Sequence, residues 1–251
     1  MPRKIAVADG REFLKSNWER LAGFVTDQKK GEPQPPVQRP SDKCLSIIDL
    51  PKPDKLGITT DPLLDVIERR RSRRHFSADE LSLEELSYLL WTTQGVRETL
   101  AKTAITKRTV PSAGSRHPLE TYLSIHRVHG LPQGMYRYLP VGHRLCHLFP
   151  GDNRDRLVEA CLGQEFVRQS AVTFVWTAVP YRTEWRYAMN AHKVILLDAG
   201  HVCQNLYLAA ESIGCGTCAI GAYSQESVDD LIGVDGKDEF AVYLAPVGRL
   251  E

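Results

Sequence analysis

Neither sign of charge dominates this sequence: 32 lysines and arginines stand against 31 aspartates and glutamates in 251 residues. General nucleic-acid and membrane-surface proteins carry a basic excess, so the balance argues against both. No apolar stretch reaches the ~20 residues that a membrane-spanning helix needs. Residues 1–10 lack the apolar run and small-residue cleavage site of a secretory leader. There is no G-x-G-x-x-G fingerprint of a dinucleotide fold. Cys215 and Cys218 form a C-x-x-C pair, but no second pair exists to complete a zinc site. The expectation is a cytoplasmic protein without metal, membrane or nucleic-acid partner. Its six cysteines, Cys44, Cys146, Cys161, Cys203, Cys215 and Cys218, are expected to be reduced.

What is present is an ordinary globular composition, 42% hydrophobic and 25% charged. A core of this size needs neither metal nor disulfide. Residues 1–60 form the first unit, an arm. An amphipathic helix is expected over residues 12–24, with Phe13, Leu14, Trp18 and Leu21 near one stripe. Pro33, Pro35, Pro36 and Pro40 then fix an extended course. The arm lies on the domain or on a partner subunit, or is a disordered tail; Trp18 and Phe24 weigh against disorder.

Residues 61–251 form the second unit. Asp61 and Pro62 start a helix whose apolar side is Leu63, Leu64, Val66 and Ile67. Ser82 and Glu85 form a capping box for the next helix, which Gly95 ends. Strands are expected over 121–128, 135–139, 144–149, 171–179, 216–223 and 239–247. Helices are expected over 153–163, 193–213 and 225–232. Residues 171–179 are nearly all apolar, as in a strand covered on both faces. The fold class is α+β: a mixed sheet flanked by helices, with an extended N-terminal arm.

Three segments carry candidate chemistry. The first is the run Arg69–Phe76, RRRSRRHF. It reads as a solvated charge run, as a nucleic-acid patch, or as a phosphate site. Arginine forks match phosphate oxygens in pairs, and a serine hydroxyl adds a donor. The second is the loop of small residues from Pro111 to Pro118, which leaves backbone N–H groups accessible to a flat ring or serves as an ordinary connection. The third is Gly214–Ala222, GCGTCAIGA. Its cysteines enter an apolar strand, where free cysteine behaves as a small core residue. Its Ala219–Ala222 end can aim amides at a ring edge.

In this order the three segments resemble the nitroreductase superfamily, over about residues 60–251. Arg70, Arg71, Ser72 and Arg74 look like its FMN-phosphate motif. Pro111, Ser112, Ala113 and Ser115 look like the loop beside the isoalloxazine. Ile220, Gly221 and Ala222 fall where the family's main chain faces the reactive N5, and Arg249 resembles a late phosphate contact. Asp198-Ala199-Gly200-His201 followed by Gln204-Asn205-Leu206, and Ser16-Asn17-Trp18 in the arm, are most similar to the SagB-type dehydrogenase branch. That branch often shows Lys-Tyr-Gly-x-Arg-x-Tyr-Arg, where this chain has Arg186, Tyr187, Ala188 and His192. A guanidinium stays protonated, so Arg186 is a poor general base.

The resemblance implies bound FMN, NADH or NADPH as co-substrate, and a homodimer with sites at the subunit boundary. Ala199, Gly200 and Cys203 on the longest helix permit the close packing that a dimer uses. The activity implied is hydride transfer from NAD(P)H to an acceptor such as a nitroaromatic or quinone. A peptide-oxidising dehydrogenase and a flavin-binding protein without turnover are the alternatives. Tyr187, beside the fixed charge of Arg186, is the candidate catalytic residue, or else packs at a helix start.

Overall fold

The computed structural model describes residues 7–100 and 105–251. The arm carries α1 (Val7–Leu14), a 3-10 turn at Trp18–Leu21, α2 (Asp27–Lys30) and β1 (Ser46–Asp49). Next come α3 (Leu63–Arg69), α4 (Leu83–Gln94) and the hairpin β2 (Val96–Leu100) and β3 (Ile105–Arg108). Then follow β4 (Leu119–Ile125), β5 (Gly134–Leu139), β6 (Arg144–Pro150), α5 (Arg154–Ala160), β7 (Val172–Ala178) and α6 (Tyr181–Tyr187). The chain ends with α7 (Ala191–Ser212), β8 (Cys215–Thr217), α8 (Gln225–Ile232) and β9 (Phe240–Arg249). Seven strands form one antiparallel sheet in the order β1-β6-β5-β4-β7-β9-β8. The α+β expectation holds.

The sheet is covered on both faces, as the apolar run of β7 requires. Phe174 and Trp176 join Leu86 and Leu89 of α4 and Ile195 and Val202 of α7 on one face. Val175, one residue out of phase, joins Tyr122, Leu157 of α5 and Leu231 of α8 on the other. Strand periodicity alone makes this division. Each of these fully buried aliphatic side chains contributes roughly 1.5–3 kcal/mol.

Local signals placed α4. Ser82 and Glu85 exchange both capping-box bonds, and Gly95 is the C-cap. The start of α3 differs from expectation. Pro62 is its N-cap without a side-chain bond, and Asp61 instead pairs with Arg69. Of its expected apolar side only Val66 is buried; Leu63, Leu64 and Ile67 are exposed. The expected helix over 12–24 is broken in two. Asn17, a residue whose side chain competes with helix bonding, turns back to Glu12. The expected strand over 216–223 stops at Thr217. The next pairing partner would be Pro246, which has no N–H to give.

The Pro-rich arm lies on the sheet end and is held there by buried arginines. A proline-rich segment offers carbonyls but few donors, so ordinary strand pairing is closed to it. Guanidinium forks supply the missing donors. Arg182 donates to the Pro36 carbonyl at 2.8 Å, Arg108 to Val37 at 2.9 Å, and Arg137 to Pro40. Arg39 answers with Glu120 and Glu239, both at 2.9 Å. A disulfide, Cys44–Cys146, fastens the end of the strap to β6. This corrects the expectation of six reduced thiols; the other four cysteines are free and buried. Among the described residues no helix is long and apolar enough to cross a membrane.

His117 and His126 are buried as neutral rings. Among the described residues His126 has no hydrogen-bond partner at either ring nitrogen, and Asp152 stays 3.9 Å away. Burial outweighs that carboxylate and holds His126 at about 4; burial and Arg108 hold His117 at about 3. In the unfolded chain both titrate near ~6.5. Below that pH the unfolded state takes up protons that the native state refuses, so stability is lost as pH falls. Each should cost about 2 kcal/mol by pH ~5, at ~1.36 kcal/mol per pH unit. Denaturant unfolding from pH 8 to 5 should show the decline, shallower in His126→Gln. Equal stability at both ends would refute this account.

Candidate active site

The arginine run leaves α3 at Arg70 and continues extended beside β8. Arg73 N–H donates to the Thr217 carbonyl and Ser77 N–H to that of Arg249, each at 2.9 Å. A Cβ on Gly216 would stand 2.6 Å from the Arg73 Cβ, so that glycine permits the approach. Extended backbone sends alternate side chains to opposite sides. Arg73 reaches Glu211 of α7 at 3.1 Å, a carboxylate that also faces Arg69 at 4.0 Å. Arg70 and Ser72 reach Tyr207 of α7, and Arg74 lies over the Phe166 ring. Among the described residues no carboxylate pairs with Arg70, Arg71 or Arg74. The guanidiniums of Arg70 and Arg74 and the Ser72 hydroxyl, on one side of the extended chain, thus remain available to an anion.

Tyr207 joins this run to the third segment. Its hydroxyl accepts from Ala219 N–H at 2.8 Å and lies 3.1 Å from Ser72 Oγ. The Arg70 guanidinium sits 5.2 Å from its ring centroid. Ile220 is pinned to β9 by two backbone bonds with Leu244, of 2.8 and 3.2 Å. Gly221 and Ala222 beyond it are exposed. Arg249 stands apart from Arg70, Arg71 and Arg74 because it donates to Glu85 at 2.5 Å. Cys215 and Cys218 are buried, and burial pushes the Cys215 thiol up to about 12.

The loop after Pro111 is built on the other half of α7. Ser112 Oγ donates to Asp198 Oδ2 at 2.6 Å and accepts from His117 N–H at 2.9 Å. Ala113 N–H reaches the other Asp198 oxygen at 3.3 Å. Burial raises the Asp198 carboxyl above the usual range, and the Ser112 and Ala113 bonds oppose that. Gly114, Ser115 and His117 all have positive φ, of 57°, 54° and 45°. Strain of this kind persists only where surroundings impose it.

Tyr187 closes the loop from the end of α6. A Cβ on Gly114 would meet its hydroxyl at 2.4 Å and Arg186 at 3.0 Å. Arg186 lies over the Tyr187 ring, 5.5 Å from its centroid, and Trp18 of the arm meets that ring edge-on at 5.3 Å. Arg116 stacks over Trp185, and burial and the neighbouring charge of Arg186 lower its pKa. His192 is bound by Glu184 at 2.7 Å.

The candidates therefore form two clusters. Arg70, Ser72 and the Ile220 loop meet at Tyr207; Ser112, Ala113 and Tyr187 meet around Gly114 and Asp198. Nine residues separate Asp198 from Tyr207 on α7, about 14 Å and two and a half turns, so they occupy opposite faces. Pro111 is exposed and Ser115 half-buried in the second loop. A cavity of about 840 Å³ between the strap and α6 is lined by Pro36, Pro180, Tyr181 and Phe240 and by none of the candidates. Sequence reasoning did not assign roles to Tyr207 or to Asp198 as a loop anchor. The signal for Asp198 was a lone carboxylate inside the apolar stripe of a helix.

Residues 67–249 match the model of the nitroreductase family. The chain is 33% identical over 187 residues to a Methanocaldococcus jannaschii protein named "Putative nitroreductase MJ1384", covering 74% of this chain and 90% of that one. It is 27% identical over 181 residues to the trifolitoxin-processing protein TfxB of Rhizobium leguminosarum bv. trifolii, covering 69% of this chain and 48% of that one. Among solved structures it is similar to one titled "putative nitroreductase" from Anabaena variabilis, with TM-score 0.68 and 26% identity. That match covers 84% of this chain and 42% of that chain. The chain thus spans about half the length of the last two proteins.

Gly114→Ala should cost at least the ~1–2 kcal/mol of a left-handed alanine, plus displacement of the Tyr187 hydroxyl. In a Tyr187→Phe background the same substitution should cost less, because the closest clash is gone. Denaturant melts of the four proteins measure this coupling; strict additivity would show that the hydroxyl does not hold the loop.

Proposed function

This chain belongs to the nitroreductase family and is an oxidoreductase, and on that premise we propose that it works with bound FMN, the phosphate seated at the cluster of Arg70 and Ser72. One observation carries the reading: Ser72 and the Arg70 guanidinium, which has no carboxylate partner among the described residues, meet at Tyr207 and through it are linked to the loop of Ile220, Gly221 and Ala222. This donor set suits a terminal phosphate monoester. A mononucleotide is favoured over FAD because no dinucleotide fingerprint is present. When bound, the isoalloxazine would supply hydride transfer, with NADH or NADPH as donor and a nitroaromatic or quinone as acceptor. Arg70, Arg71, Ser72 and Arg74 would hold the phosphate. Arg249, engaged by Glu85, would join only by exchanging that partner. Pro111, Ser112, Ala113 and Ser115 would border the ring.

The proposal includes a homodimer. The two clusters occupy opposite faces of α7, so the loop after Pro111 would complete the partner's site. Exposed apolar residues support the pairing: Leu63, Leu64 and Ile67 of α3, with Leu196 and Leu197 of α7. Apolar side chains left exposed on two helices suit an interface. The nicotinamide donors favour the cytoplasm. The Cys44–Cys146 bond runs against the usual reducing compartment; Cys146 is fully buried.

The purified protein should bind FMN as a dimer by light scattering. Arg70→Ala and Arg74→Ala should each weaken FMN by roughly 1.5–3 kcal/mol and leave riboflavin affinity almost unchanged. A protein that stays colourless after incubation with FMN would sink the reading; unchanged affinity in both variants would return the run to a solvated face.

A second reading, oxidation of a peptide or other organic substrate, is favoured by the Tyr187 hydroxyl aimed at the strained loop. Tyr187→Phe distinguishes the two. Under the reductase reading, flavin reduction by NAD(P)H stays near the native rate. Under the dehydrogenase reading, substrate oxidation is lost while FMN remains bound. Stopped-flow measurement of each half-reaction decides between them.

A further inference from the structure

We propose that Tyr207 is a positioning residue for the cofactor, coupling the phosphate seat to the loop that faces the ring. The inference rests on the FMN reading above and deepens it. The direction of its hydrogen bonds carries the argument. Ala219 N–H can only donate, so the phenol oxygen 2.8 Å away accepts from it. Ser72 Oγ stands 3.1 Å from the phenol, where either hydroxyl can donate, and an anion that takes the serine proton selects the direction in which the phenol donates to Ser72. With its oxygen serving as acceptor, Ser72 is left with its own proton to give, and its exposed side chain can give it to an anion. The order is amide to phenol to serine to phosphate oxygen. Each bond in such a chain polarises the next.

Two further contacts make the same residue a hinge pin. Its ring lies beneath the Arg70 guanidinium at 5.2 Å, which sets the height of that fork beside Ser72. Its hydroxyl fixes Ala219, while the sheet fixes Ile220 through Leu244. The loop is therefore anchored at two successive residues, immediately before the exposed Gly221 and Ala222. Occupation of the phosphate seat and placement of these amides are linked through one phenol. No other hydrogen bond among the described residues joins Ser72 to this loop.

The test compares the native protein, Tyr207→Phe and Ser72→Ala, each titrated with FMN and with riboflavin. Tyr207→Phe keeps the ring under Arg70 and removes both hydrogen bonds. It should weaken FMN about tenfold, reduce the preference for FMN over riboflavin, and shift the visible bands and midpoint potential of the bound flavin. Ser72→Ala should add little to that loss in the double variant, because both changes break one chain. A Tyr207→Phe protein with native FMN-to-riboflavin ratio, native spectrum and native potential would overturn the proposal, whatever its melting temperature. If Tyr207→Phe fails to fold, Ser72→Ala alone must reproduce the lost preference and the spectral shift; without them the proposal fails. Absence of FMN binding by the native protein would instead overturn the cofactor reading itself.

Discussion

The docking of α7 on the sheet is the constraint from which the site follows. Ile195, Ala199, Val202, Leu206 and Ala210 form one buried stripe against β7 and its neighbours. A helix that long cannot be apolar on all sides without losing register, so polar residues interrupt its margins. Each interruption must find a partner, because an unpaired buried polar group costs about 1–3 kcal/mol. Here the partners are the segments of the site. Asp198 holds the loop after Pro111, Tyr207 holds Ser72 and Ala219, and Glu211 holds Arg73. The helix thus buries the core and aligns three loops that have no regular structure of their own.

Glu211 also explains how an arginine run can be both folded and receptive. Five arginines within six residues would repel one another if all faced one way. Extended backbone divides them, and Glu211 neutralises the inward set near Arg69 and Arg73. Arg70 and Arg74 rest on aromatic faces, which stabilise a cation without neutralising it. The same economy appears in the arm, where Arg108, Arg137 and Arg182 serve the carbonyls of Val37, Pro40 and Pro36 from inside the sheet end. Breaking such a buried pair leaves an uncompensated charge. The strap and the sheet end therefore depend on each other.

Signals carried by adjacent residues were legible in the sequence. The Ser82–Glu85 box, the apolar run of β7 and the 3.6-residue stripe of α7 each needed only their own segment. What was not legible depends on distant partners. Strand β1 forms because β6 offers it an edge, and nothing local in Ser46–Asp49 announces that. The strand after Gly216 ended early because Pro246, thirty residues on, lacks a donor. The apolar side of α3 was read correctly as apolar, yet most of it faces outward. A hydrophobic stripe specifies burial without saying whether the cover comes from the same chain. The cysteines misled for a similar reason: spacing drew attention to Cys215 and Cys218, whereas the bonded pair spans 102 residues.

The sites picked from family resemblance form two clusters, and the departures from the SagB-type pattern gather in only one. Arg186, Ala188 and His192 all lie in the segment of Tyr187, while Arg70, Arg71, Ser72 and Arg74 keep the residue types of the motif they resemble. Ala188 adopts positive φ, 46°, at the end of α6, a position where glycine would be unstrained. His192 brings an imidazole bound to Glu184 where the pattern has a tyrosine phenol. Arg186 keeps its charge above the Tyr187 ring and cannot accept a proton. A cofactor seat can therefore be retained while the proton-handling side changes. On the proposed dimer these two sides come from different subunits, which lets each vary without disturbing the packing of the other. That separation is the physical reason to place reduction by a nicotinamide, which needs no protein base, ahead of substrate dehydrogenation.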